Sequence, residues 1–130
     1  MLDVHIDEFF NDCAVALLMG LQSFPAAKTL FVEDIAGPDD MDEFGLHSAR
    51  HIAALGALCW LKDEGFVRFG AMDRQESVDN FVLTSKAFSR LLALEPIANQ
   101  PVFQILENAR MEQDSTRVSF LLRTYLIKES

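Results

Sequence analysis

The sequence predicts an α+β fold, mostly helical, built around one small β-hairpin. Three observations predict it. Apolar residues recur at three- and four-residue spacing over several long stretches. The period falls to two at Phe66-Val67-Arg68-Phe69, and a second short apolar run follows at Phe81-Val82-Leu83. Composition adds the third: half of the 130 residues are hydrophobic and only 24% are charged, enough to close a core.

The first element is a helix. Ile6, Phe9, Phe10, Cys13, Leu17 and Leu21 form its stripe, with Asp3 as the expected N-cap and Asp7 and Glu8 in an early turn. Val15, Leu18 and Met19 widen the stripe beyond one face, so this helix is expected to pack on two sides. The second side is either the C-terminal helices or another copy of the chain. Phe24 before Pro25 ends the helix, because the residue before proline disfavours the α region.

Thr29-Leu30-Phe31 reads as a short strand. Val32 to Ala36 either continues it or makes one helical turn stopped by Gly37-Pro38. An acidic segment, Asp39 to Gly45, comes next. The clearest helix runs from about Ser48 to Glu64, with Ile52, Leu55, Leu58 and Cys59 inward and Gly65 at the C′ position. Ala53, Ala54, Gly56 and Ala57 leave much of it smooth. The polar segment Gly70 to Asn80 is expected to be a long hairpin tip. Thr84 or Ser85 then caps a helix carrying Phe88, Leu91 and Leu92.

Two helical pieces follow. Val102, Phe103, Ile105, Leu106 and Ala109 form one, after Pro101 at its start; Val118, Leu121, Leu122 and Tyr125 form the other. Their stripes are out of phase across Gln113 to Thr116, which predicts a break or kink there capped by Asp114 or Ser115, with a single long helix as the alternative. The domain boundaries expected are residues 1–96 for the hairpin-bearing unit and 97–130 for a helical extension on it or on a dimer partner.

Eleven phenylalanines beside one Trp and one Tyr suggest a Phe-rich interior. Cys13 and Cys59 lie in helical apolar patterns and are expected as buried free thiols. Met-Leu-Asp-Val-His opens the chain without a basic signal region, and the longest apolar stretch, Cys13 to Leu21, is too short for a bilayer. The expectation is a soluble cytoplasmic protein with no membrane segment.

The net charge is −9, and its placement matters more than its size. From Met1 to Gly45 there are ten acids and one base, Lys28; beyond that, acids and bases cancel. This opposes binding to a polyanion, which is driven largely by phosphate neutralisation.

Leu58-Cys59-Trp60-Leu61-Lys62-Asp63-Glu64-Gly65-Phe66-Val67 and Phe81-Val82-Leu83-Thr84-Ser85-Lys86-Ala87 resemble the winged-helix superfamily. Members show a leucine-bearing helix end, Glu-Gly and two apolar residues, and then a Leu-Thr pair opening a helix after the wing. The likeness covers residues 5 to 94. It implies a winged helix with a small β-hairpin wing and added C-terminal helices, in which Ser48 to Glu64 is the recognition helix and Gly70 to Asn80 the wing. DNA-binding residues implied in this way are His47, Arg50 and His51 on the outward helix face, Arg68 on the strand and Arg74 in the wing, with Arg50 placed to pair with a guanine. The chain departs from the family at Asp39 to Gly45, where members usually have a tight turn. Asp39, Asp40, Asp42 and Glu43 there suit a basic protein partner better than nucleic acid.

Catalytic patterns are missing. No glycine is followed by Lys-Ser or Lys-Thr, and no Gly-x-Ser-x-Gly occurs. His47 and His51 are four apart and share a helical face; Asp42 or Glu43 could add a third metal ligand, yet no glutamate base lies between them. Surface histidines, no metal and no cofactor are the expectation. The acidic segment lacks the alternating carboxylates and central glycine of a calcium loop. The chain therefore reads as a non-catalytic binding protein acting through an unidentified protein partner, with DNA binding as the alternative.

The wide stripe of the first helix and the tail helices predict a homodimer. Light scattering at micromolar concentration should return about twice the chain mass; the mass of one chain would contradict it.

Overall fold

The computed structural model describes residues 4–128. The N-cap expected at Asp3 lies outside them. Helix α1 spans Val4–Ser23, and its buried residues include Phe10, Cys13, Ala14, Leu17 and Leu18. The breadth of the stripe is explained within one chain, because α1 packs against helices and sheet from both halves of the sequence. The premise that its second side awaits another copy therefore falls.

Strand β1, Lys28–Phe31, leads into a single helical turn, α2, Glu33–Ala36. Val32 is fully buried and its N–H donates to the Glu76 carbonyl at 2.9 Å, while Gly37 ends the turn at φ 89°. Helix α3 spans Ala49–Asp63, with the Ser48 hydroxyl accepting from the His51 N–H at 3.2 Å. Gly65 at φ 80° closes it: the Phe66 N–H reaches the Leu61 carbonyl and the Gly65 N–H the Lys62 carbonyl. Ile52, expected inward, is exposed.

The hairpin follows as β2 (Val67–Arg68), β3 (Met72–Asp73) and β4 (Ser77–Leu83). The sheet order is β1-β4-β2 with β3 also on β4, all antiparallel. The long polar tip expected over Gly70 to Asn80 is instead mostly ladder. Its turn is only Arg74 and Gln75 between β3 and Glu76, both at positive φ, and Asp73 pairs with Ser77. Val78 is the single apolar residue marking this part of β4, and it is fully buried.

Helix α4 is Ser85–Leu92, capped by Thr84, whose hydroxyl also donates to the Gly65 carbonyl at 2.7 Å. A small hairpin, β5 (Leu94–Glu95) and β6 (Gln100–Pro101), was not expected from the sequence. It forms around the Glu95 carboxylate, which accepts from the N–H groups of Ala98 and Ile97 at 2.7 and 2.9 Å and is held below the usual carboxylate range by those bonds. Helices α5 (Val102–Met111) and α6 (Ser115–Leu121) meet at the expected break, where Asp114 accepts from the Arg117 N–H and Gln113 takes φ 57°. A π-helical turn, Leu122–Leu126, extends α6.

The described residues thus form an α+β fold with six α-helices and small antiparallel sheets. Val102, Leu106, Val118 and Leu122 share one hydrophobic core with Leu17, Leu58 and Phe81, so the segment after residue 96 contributes to the same interior. The phenylalanines are only partly interior: Phe31, Phe44 and Phe120 are exposed. Cys13 is buried and Cys59 half-buried, both as free thiols. Among the described residues, no helix is long and apolar enough to cross a membrane.

Gly20 sets the distance between α1 and the sheet. A Cβ there would lie 2.7 Å from Leu83 Cδ2 and 3.2 Å from Phe81, both of them buried side chains. Overpacking costs about 1–3 kcal/mol, against at most about 1 kcal/mol gained from helix propensity. Gly20→Ala should therefore lower the urea midpoint by the equivalent of about 1 kcal/mol; an unchanged or raised midpoint would contradict the close approach.

Candidate functional site

Four of the residues singled out from the sequence, Asp39, His47, Arg50 and His51, meet at the N-terminal end of α3 and do not face outward as expected. Arg50 turns back onto α1 and forms a bidentate ion pair with Asp12. The Asp12 side chain is 1% exposed and that of Arg50 34%. Burial pushes the Asp12 carboxyl upward while Arg50 opposes the shift, and the same pairing strengthens the guanidinium's hold on its proton. Arg50 is thus committed to the interior, and its availability to a base edge is corrected accordingly.

His51 is also inward. It is 1% exposed, and its Nε2 lies 2.7 Å from the carbonyl oxygen of Gln75 at the hairpin turn. His47 stacks on it, ring centroids 4.1 Å apart and planes within 9°. Its Nε2 lies 3.2 Å from the neighbouring turn carbonyl, Arg74, and its Nδ1 meets the Asp39 carboxylate. The turn at Arg74-Gln75 is therefore anchored onto α3 by two imidazoles.

Asp39 is the one member of the acidic segment that points in. Its side chain is 3% exposed, and it also accepts from the Ser48 N–H at 3.0 Å. Burial disfavours its charge, but hydrogen bonds from His47 and Ser48 outweigh that and hold the carboxyl below its usual range. Donating to Asp39 raises His47 in turn. Asp42 does something different: its Oδ1 accepts from the N–H groups of Phe44 and Leu46, both at 2.9 Å, and shapes its own loop. Asp40, Asp42 and Glu43 are exposed.

One donor atom from each of Asp39, His47 and His51 lies within 4.8 Å of the others. The third member is Asp39, and neither Asp42 nor Glu43 takes that place. No spacing rule marks it, because the loop through Gly45 folds a residue eight positions before His47 back against the helix. A recess of 280 Å³ opens beside the cluster and includes Phe31, Glu33, Met41 and Glu76.

The outer face of α3 is left to Ala49, Ile52, Ala53 and Gly56, at successive three- and four-residue steps, all exposed. These four positions carry no charge; the exposed charges of α3, Lys62 and Asp63, lie in its last turn. Exposed Phe44 and Leu46 precede it. Of the five residues proposed for DNA, only Arg68 and Arg74 remain exposed, and Arg74 lies 3.5 Å from Asp73. A second cleft, of 560 Å³, separates α1 from the start of α6; Arg50 and Arg110 line it together with Asp7, Glu8 and Asp114.

Comparison with family models, curated proteins and solved structures gives no match.

The Arg50 assignment has a direct consequence. Removing one partner of a fully buried pair costs about 3–5 kcal/mol. Arg50 is one-third exposed and Asp12 can take up a proton, so Arg50→Ala should cost about 2 kcal/mol. Chemical denaturation reads this; a variant as stable as the parent would show that the pair contributes nothing.

Proposed function

We propose that this chain is a non-catalytic, winged-helix-like binding module that acts through protein contacts. The element order α1-β1-α2-α3 followed by the hairpin, and the sheet order β1-β4-β2, suit that scaffold, with α3 in the position of a recognition helix and the Met72–Ser77 hairpin turn in that of the wing. The insertion before α3 departs from it.

The observation that carries the choice of partner is the outer face of α3. Nucleic-acid recognition needs cations on the helix to neutralise phosphates and donors to reach base edges. Here Ala49, Ile52, Ala53 and Gly56 offer neither, and the nearest arginine is held by Asp12. A small, apolar, uncharged strip permits close approach of another protein surface. Asp40, Asp42 and Glu43 beside it would attract a partner bearing lysines or arginines. DNA binding is the alternative, and Arg68 and Arg74 are what remains to support it.

Self-association is a separate proposal. With α1 covered by its own chain, a homodimer would need other apolar surface, and Leu92, Leu94 and Ile97 around the β5–β6 hairpin are exposed.

Ala53→Glu and Gly56→Glu place charge on the strip at exposed positions, and a Cβ at Gly56 meets nothing within 4 Å. Tagged parent chain should capture a protein from nuclease-treated native extract in stoichiometric amount, and both variants should lose it while keeping the parent's circular dichroism. Capture that depends on nucleic acid, or that survives both substitutions, would overturn the proposal.

A further inference from the structure

We infer that Asp39, His47 and His51 form a binding site for a divalent transition-metal ion of the zinc class. An Asp–His hydrogen bond alone would explain Asp39 and His47. It does not explain His51, whose ring is buried and whose Nδ1 has no hydrogen-bond partner. A buried imidazole nitrogen without a partner is costly unless something else occupies its lone pair or takes its proton. That nitrogen lies 3.6 Å from the same Asp39 oxygen, Oδ2, that meets His47 Nδ1. Three donors of the types that zinc prefers therefore converge on one point.

The outer shell is already in place. Metal-bound histidines characteristically donate the far ring N–H to a carbonyl or carboxylate, which fixes the tautomer and turns the near nitrogen toward the ion. Both histidines have this arrangement, His51 to Gln75 and His47 to Arg74, on adjacent carbonyls of one turn. With both Nε2 atoms donating, the Nδ1 of His51 has a free lone pair, and the Nδ1 of His47 gains one when the ion displaces the proton it shares with Asp39.

The dimensions fit with a small adjustment. Bonds of about 2.0–2.1 Å in a tetrahedral site put donor atoms roughly 3.3 Å apart. The Asp39–His51 separation of 3.6 Å is near that value, and the Asp39–His47 contact must open. The parallel rings aim their lone pairs side by side, so one must tilt. His47 is the freer, with 10% of its side chain exposed against 1% for His51. The fourth position faces the recess that Glu33 and Glu76 also line, leaving room for a water or a carboxylate. Two imidazole nitrogens argue against calcium or magnesium, which take oxygen ligands. The ion would pin the acidic segment and the hairpin turn to α3, independently of what binds α3's outer face.

Chelator-stripped protein should be titrated with zinc chloride by calorimetry, and its thermal midpoint followed with and without zinc. The parent should take up one equivalent saturably and melt higher with zinc. Asp39→Asn and His47→Gln should each weaken binding by at least about tenfold and abolish the thermal shift, while circular dichroism without metal stays as in the parent. His51→Ala removes a buried ring and is not relied upon. Absence of saturable uptake by the parent would overturn the site. So would unchanged stoichiometry and affinity in both variants, which would place the ion elsewhere, for instance at His5 or Cys59.

Discussion

The carboxylate of Asp12 lies inside the protein, and much of the surface is decided by what neutralises it. An isolated buried carboxylate is expensive, so it either takes up a proton or acquires a cation. Arg50 supplies the cation from the first turn of α3 and accepts a bidentate geometry that a lysine could not reproduce. The pair fixes the rotation of α3 about its own axis against α1. With that rotation set, His51 and Leu55 point inward, and Ala49, Ile52, Ala53 and Gly56 point out. One ion pair thus ties two helices together and turns the only arginine of α3 back toward α1.

Much of the scaffold was legible in the residues. The periodic stripes located every long helix; Thr84 and Asp114 capped as their hydroxyl or carboxylate chemistry suggests, and Gly65 closed α3 with the expected left-handed backbone. The misses have physical causes. The ladder through Ser77 to Asn80 is polar on its exposed side and reveals itself only at Val78. Its turn uses Arg74 and Gln75 at positive φ, with no glycine to announce it. The β5–β6 hairpin is organised by a side-chain acceptor, Glu95, and by no alternation of apolar residues.

The candidate site was the least legible part. Periodicity tells which residues share a helix face, but not which way the face turns when a charge is buried beneath it. Arg50, His51 and Ile52 were each assigned the wrong side for this reason. Asp39 could not be separated from Asp40, Asp42 and Glu43 by composition, because its role comes from a loop that folds back to Ser48 and His47. Once there, it joins the acidic insertion, the hairpin turn and α3 at one place. The insertion is therefore packed onto the start of α3 through Asp39.

On the proposed reading, α3 presents a protein-contact surface and no phosphate-binding surface. Fluorescence anisotropy of labelled random-sequence duplex DNA, titrated at low and at physiological salt, tests it most directly. No saturable binding is expected at micromolar protein even at low salt, since the exposed strip from Ala49 to Gly56 bears no cation and Arg68 and Arg74 are the only exposed residues left of the five first considered for DNA. Saturable binding that falls steeply with salt and is lost in the Arg68→Ala and Arg74→Ala variants would contradict it.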